Sequence, residues 1–367
     1  MLLLIAVGPG LSGCGSNQLL THRALVLALG FGPGPHKRDL ALYMQIPTPQ
    51  GLASVMAGGA AGGSGGGSSK KTTVVLKGTG ATVAKAFAQI QAESNQDLYL
   101  GQLQAVIFST QLSQAQMEVI GSTLTRLGQV DKTAYALAAT APLDKVLHTE
   151  PAVSPMAPLY YATEFSCSAC QTVRLDRRIW SVEKRMAAPA VDLWLPLLKP
   201  EKAAFQLDQA VLYHHLKAHT ILTPEKTELL GYLLGRTEKG FVDVPWHGFP
   251  VSIRGMASRT HFSTQWPNGH LHITVHMHIM GEANGFPINR KIGWHVPWMQ
   301  AAVSRQIANR ELRFLESMSR ENIDVLNLGE AYLWQHPHQG ARWSHAYRHA
   351  QWTVHATTTL SNLGEGT

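Results

Sequence analysis

The residues best placed to do chemistry form one short run, Asn268-Gly269-His270-Leu271-His272-Ile273-Thr274-Val275-His276-Met277-His278-Ile279. Alternate residues of a strand point to opposite faces. Leu271, Ile273, Val275, Met277 and Ile279 therefore share a core face, and His270, His272, Thr274, His276 and His278 share the other. Neutral imidazole is a common ligand for zinc, copper and nickel, so four histidines on one face offer a metal reading. His270 and His278 are about 26 Å apart at roughly 3.3 Å per residue, too far for one ion. Only the pairs His270 with His272 and His276 with His278 could each give two ligands, completed from a neighbouring strand by His261 or His355. The plainer reading, which the spacing favours, is a solvated strand face. Cys167-Ser168-Ala169-Cys170 is a lone C-x-x-C. Without a second pair it does not make a zinc site, and outside a reducing compartment Cys167 and Cys170 could close a disulfide. The chain has no G-x-S-x-G, H-E-x-x-H, P-loop or dinucleotide fingerprint, and no pair of carboxylates stands out as acid and base. No catalytic constellation is visible.

A different chemistry is suggested at the start. Leu2 to Val7 form a short apolar run, and Leu11-Ser12-Gly13-Cys14 sets small residues before a cysteine. This resembles a bacterial lipobox, cut between Gly13 and Cys14 and lipidated on the Cys14 sulfur. Each buried CH₂ of such an anchor contributes about 0.8 kcal/mol, so two or more acyl chains hold firmly. No cofactor other than that covalent diacylglycerol or acyl lipid is expected.

The elements that position these residues follow from composition and periodicity. The chain has 367 residues, 45% of them apolar and 15% charged, with a formal charge of +7 and three cysteines. That length suggests two or three domains and a sizeable core. No apolar run reaches the roughly 18–20 residues of a membrane-spanning helix. Lys and Arg are scattered rather than clustered, which argues against nucleic acid as a partner. Histidine is the oddity: 18 copies, of which only His22, His36 and His148 precede residue 200.

Strands over 24–30, 40–46, 71–76, 103–108 and 135–139 alternate with helices over 82–93 and 113–127, which implies mixed α/β units. Gly78-Thr79-Gly80 reads as a turn. Residues 57–69 are a Gly-rich flexible insertion, and 150–158 and 189–200 read as connections between lobes. A strand at 205–212 restarts the pattern. Thr223-Pro224-Glu225 then supplies an N-cap, a first-turn proline and an acidic first turn for a helix to Leu234. Long strands at 251–262 and 271–280 precede a helix from Pro297 whose stripe is Met299, Val303, Ile307, Phe314 and Met318. A last strand covers 352–360. The fold expected is α+β and multidomain, with a signal peptide over 1–13, two α/β lobes over 14–200, and an α+β domain over 201–367.

Together these pieces resemble the Ger(x)C family, the lipoprotein C subunits of bacterial spore germinant receptors. The likeness rests on Leu11 to Cys14, on Gly78-Thr79 leading into a helix, and on Asn95-Gln96-Asp97-Leu98-Tyr99-Leu100-Gly101-Gln102 and the strand to Ser109. It is most specific at the end, where Asp324-Val325-Leu326-Asn327-Leu328-Gly329 follows the long helix and His336-Pro337, Trp343, Tyr347 and Trp352-Thr353-Val354 come after. Leu326 and Leu328 are expected to tuck beneath the helix end, and Gly329 to permit the turn. Gly15-Ser16 departs from the Trp-Asp usual after the lipid cysteine, and Gln102 stands where a His is common. The resemblance implies a subunit without enzymatic activity, anchored through Cys14 to the outer face of the bacterial cell membrane or spore inner membrane. It implies two integral-membrane partners, the A and B subunits, and a role in assembly and nutrient-triggered germination. The alternative is a lipid-anchored solute- or metal-binding protein, with its ligand between two lobes.

Overall fold

The computed structural model describes residues 22–56, 71–154, 156–167, 173, 175–187, 192–237, 239–246, 249–284 and 296–361. Cys14, Gly13, Cys170 and the Gly-rich insertion lie outside them.

The first half of the chain builds one large sheet. Its elements are β1 (Arg23–Leu25), β2 (Ala28–Pro33), β3 (Leu40–Pro47), α1 (Pro49–Met56), β4 (Thr73–Gly80), α2 (Val83–Glu93), β5 (Asp97–Tyr99), β6 (Ala105–Ser109), α3 (Gln114–Arg126) and β7 (Tyr135–Ala139). There follow α4 (Leu143–Leu147), α5 (Ala157–Ser166), α6 (Ile179–Ala187), β8 (Leu193–Pro200), β9 (Phe205–His214) and β10 (Lys217–Ile221). Eight strands pair in the order β10-β9-β8-β7-β6-β2-β3-β4, while β1 and β5 form a small parallel pair beside them. The centre, β2-β6-β7-β8, is parallel and both flanks are antiparallel. Helices α2, α3 and α6 cover one face through Ile90, Met117, Ile120, Leu124 and Val182. Helices α4 and α5 cover the other through Val146, Leu147, Tyr161 and Phe165.

Local sequence chemistry accounts for the helices as expected. Thr82 caps α2 by accepting from the Lys85 N–H, and Ser113 with Gln116 forms a reciprocal capping box on α3. Two expectations fail for identifiable reasons. Gly78 and Gly80 lie within β4 rather than in a turn. A Cβ at Gly78 would sit 2.1 Å from the Ala86 carbonyl oxygen, so the glycine lets α2 press onto the strand. Residues 193–200 are a strand, not a connection. Pro196 and Pro200 hid it, because proline cannot donate to a ladder, and β8 keeps only the pair Ala138↔Leu197 with β7.

The second half adds α7 (Pro224–Leu233), β11 (Gly240–Trp246), β12 (Phe249–Gln265), β13 (His272–Asn284), α8 (Val296–Arg320), α9 (Leu328–Gln335), α10 (Gly340–Arg348) and β14 (Gln351–Ser361). Its sheet runs β11-β12-β13-β14, antiparallel except for the last pair, and α8 lies along one face. Thr223 caps α7 with Pro224 in its first turn, and Met299, Val303, Ile307, Phe314 and Met318 are all buried, as the periodicity predicts. The strand expected to open this half, at 205–212, instead pairs with β8 and carries the large sheet across residue 200. Its alternation serves two cores: Val211 and Tyr213 face the first, Ala210 and Leu212 the second, beside Trp194 of β8. The two halves thus share a two-stranded wall.

Candidate functional site

Three features are built from specific polar and aromatic side chains, and the histidine face comes first. On β13, Ile273, Val275, Met277 and Ile279 are buried, while His272, Thr274, His276 and His278 lie on the opposite face. The register places His276 opposite His261 of β12 and opposite His355 of β14. Three imidazoles therefore form a row across three strands, and the His276 and His355 rings stack at 5.2 Å and 20°. His272 Nε2 pairs with Thr353 Oγ1 at 2.9 Å, and His278 Nδ1 with Thr357 Oγ1 at 3.2 Å, tying β13 to its neighbour. His270 precedes the strand, closing a 3₁₀ turn at Pro267–Gly269 with its N–H donating to the Pro267 carbonyl. It borders a depression with His345 of α10 and His349 just after it, rather than forming a pair with His272. Among the described residues no three His, Cys, Asp or Glu side chains converge as a ligand set. Arg259 lies opposite His278, and the sequence has no Asp or Glu over residues 244–281 or 331–364. The face is solvated and rich in groups able to carry positive charge.

The second feature joins the halves. Asp324 lies buried between α8 and α9, and its carboxylate accepts from the N–H groups of Leu328 (3.1 Å) and Gly329 (2.7 Å). It thereby caps α9 from upstream, because Asn327, the residue before the helix, is left-handed at φ 59° and makes no side-chain cap. The Asp324 N–H donates to Asp192 Oδ2 at 2.6 Å, just before β8, and Asp192 Oδ1 pairs with His214 Nδ1 of β9 at 2.9 Å. Lys184 of α6 pairs with Glu330 of α9 at 2.9 Å. Burial pushes the Asp324 carboxyl up to about 6, opposed by the two N–H groups and reinforced by the Asp192 charge. Glu311 of α8 is fully buried with no partner among the described residues on either carboxylate oxygen, and burial outweighs nearby Arg310 to raise it well above the usual range.

The third feature escaped sequence reading. Trp266, at the end of β12, Tyr332 of α9 and Trp343 of α10 wall a groove of about 390 Å³, with Gln335, His336 and Arg342 around them. Tyr332 lies 5.5 Å from Trp266 and 5.4 Å from Trp343, tilted by 33° and 31°. Its hydroxyl donates to Gln339 Oε1 at 2.7 Å, and Arg342 donates to the same oxygen at 3.2 Å. Gly329 is not a turn residue but a helical one, whose added Cβ would sit 2.3 Å from Trp343 Nε1. The i, i+4 spacing of Tyr332 with His336 and of Trp343 with Tyr347 is the only local signal for these two helices.

Cys167 ends α5 and is disulfide-bonded, while Cys170 falls outside the described residues. No helix among the described residues is long and apolar enough to cross a membrane.

Two family models match in order along the chain: the spore germination protein N-terminal domain over residues 16–200, and the C-terminal domain of spore germination B3/GerAC-like proteins over 208–364. The chain belongs to this spore germination family. The solved structure of the GerBC protein has the same fold, with a TM-score of 0.55 over 93% of this chain and 99% of that one at 15% identity. The multidomain α+β architecture is the one expected. Orotidine 5'-phosphate decarboxylases of Xylella fastidiosa strains M12 and M23 share 27% identity with 126 residues, 34% of this chain. The chain spans 43% of the length of those curated relatives. Both GerAC-like models concern germination, and neither names a reaction.

Proposed function

We propose that this chain is the non-enzymatic C subunit of a spore germinant receptor, lipid-anchored through Cys14 and assembled with two integral-membrane subunits, A and B. The observation that carries this reading is the ordered match of both GerAC-like domains over nearly the whole chain. The first match begins two residues after Cys14, where a processed lipoprotein would start. Placement on the outer face of the cell or spore inner membrane suits a formal charge of +7 against anionic lipid. The Asp192–Asp324 junction and the shared β8–β9 wall make the two halves mechanically continuous, which fits a role in assembly and signal transmission.

The test has two arms. Metabolic labelling with a fatty acid should mark the wild-type chain and leave Cys14→Ala unlabelled and released from the membrane fraction. Equal label in both would remove the anchor. Deleting the gene in spores stripped of other receptor copies should abolish germination in at least one defined nutrient. Normal germination with every nutrient would overturn the receptor reading.

A further inference from the structure

We infer that the groove between Trp266, Tyr332 and Trp343 is a binding site for a small carboxylate carrying a flat apolar body, such as an arylalkanoate. Its volume, about 390 Å³, falls in the range of roughly 300–1,000 Å³ common for small-molecule sites. The walls are preformed. Trp343 is buried against Gly329, where no side chain larger than hydrogen fits, and the Tyr332 hydroxyl is fixed by Gln339. The three rings stack in one row and Trp343 is itself packed between Tyr332 and Tyr347, so a ligand would meet the half-buried Trp266 and Tyr332 already held in place, which lowers the entropic cost of binding.

The charge around the groove selects the sign of the ligand. An aromatic cage open to solvent ordinarily suits a cation, held against the ring faces. Here Arg342 already sits 5.9 Å from the Trp266 ring, and His336 lies 4.8 Å from Tyr332. Every lining residue except Leu328 comes from the two stretches that contain no Asp or Glu. The nearest acid in sequence, Glu330, is paired with Lys184. Among the described residues Arg342 donates to Gln339 and has no carboxylate partner, so its guanidinium can receive one. The flat, forked guanidinium matches a carboxylate in geometry as well as charge. The ring of the ligand would lie against the accessible parts of Trp266 and Tyr332, backed by Trp343, and its carboxylate at Arg342. Helix α9 then lies between that ligand and the Asp192–Asp324 junction. This inference does not depend on the receptor-subunit reading.

The probe is 3-phenylpropionate, titrated calorimetrically into the purified full chain, with 3-phenylpropanamide, acetate and inorganic phosphate as comparisons. The acid should bind saturably and at least about tenfold more tightly than the amide, a difference of about 1.4 kcal/mol. Arg342→Gln should bring the acid to the level of the amide and leave the amide unchanged. Trp266→Ala should weaken both. Circular dichroism checks that each variant is folded, and Arg342, exposed at the rim, carries the test if Trp266→Ala is not. No saturable heat up to about 10 mM would overturn the inference. So would undiminished binding by Arg342→Gln, or acetate or phosphate binding as tightly as the aryl acid.

Discussion

The two sheets of this molecule solve the same problem differently. In the large sheet, every residue of β6 and β7 is buried, because helices cover both faces. Such strands read as continuous apolar runs, and they leave no strand face for recognition. In the small sheet, α8 covers one face only, so β13 alternates between buried aliphatics and accessible His272, His276 and His278. The large sheet is a support. The histidine row and the groove where the end of β12 meets α9 and α10 both belong to the second half.

The largest expected effect lies in the support. Phe108 of β6 is fully buried and stacks on Phe31 at 6.0 Å. Phe108→Ala should cost about 3–5 kcal/mol in chemical denaturation. A cost below about 1 kcal/mol would mean that this sheet is not the rigid member of the pair. The junction should come next, and its contribution depends on pH. The Asp324 carboxyl titrates near 6 in the fold, against about 3.9 in an unfolded chain, so between these values the folded state holds more protons. Its stabilising contribution is therefore full below about pH 4 and declines as pH rises towards about 6, by up to roughly 2–3 kcal/mol. Asp324→Asn should flatten that slope in melting curves taken across pH 4–7. An unchanged slope would place the titration elsewhere. The smallest effect belongs to the open face. His276→Gln should alter stability by no more than about 0.5 kcal/mol. A loss approaching that of Phe108→Ala would show that the face is covered.

Much of this was legible wherever a residue's role is local. Thr223-Pro224 starts a helix by its own cap chemistry, the stripe from Met299 to Met318 buries itself by spacing, and Ile273 to Ile279 sort by alternation. What escaped depends on distant partners. Pro196 argues against a strand, yet β8 pairs along its length with β9 and needs only one pair with β7. Gly78 and Gly329 look like turn formers, but each makes room, one for Ala86 and the other for Trp343. The groove needs Trp266 to meet residues more than sixty positions later. His272, His276 and His278 share the face that alternation gives them, and His261 and His355, the neighbours named from sequence, both come opposite His276 through register, while His270 falls in the turn before the strand.

The parallel pairing of β13 with β14 also bears on how the molecule is made. Antiparallel neighbours can zip from a hairpin, but these two strands are separated by α8, α9 and α10, so their ladder closes only after that whole segment has been synthesised. Contacts so far apart in the chain form late and slowly. Until residue 361 has emerged, β13 presents an unpaired edge of eleven partner positions, a template for pairing with another chain. Loss of the last strand would thus show itself less as a weakened fold than as aggregation of nascent protein.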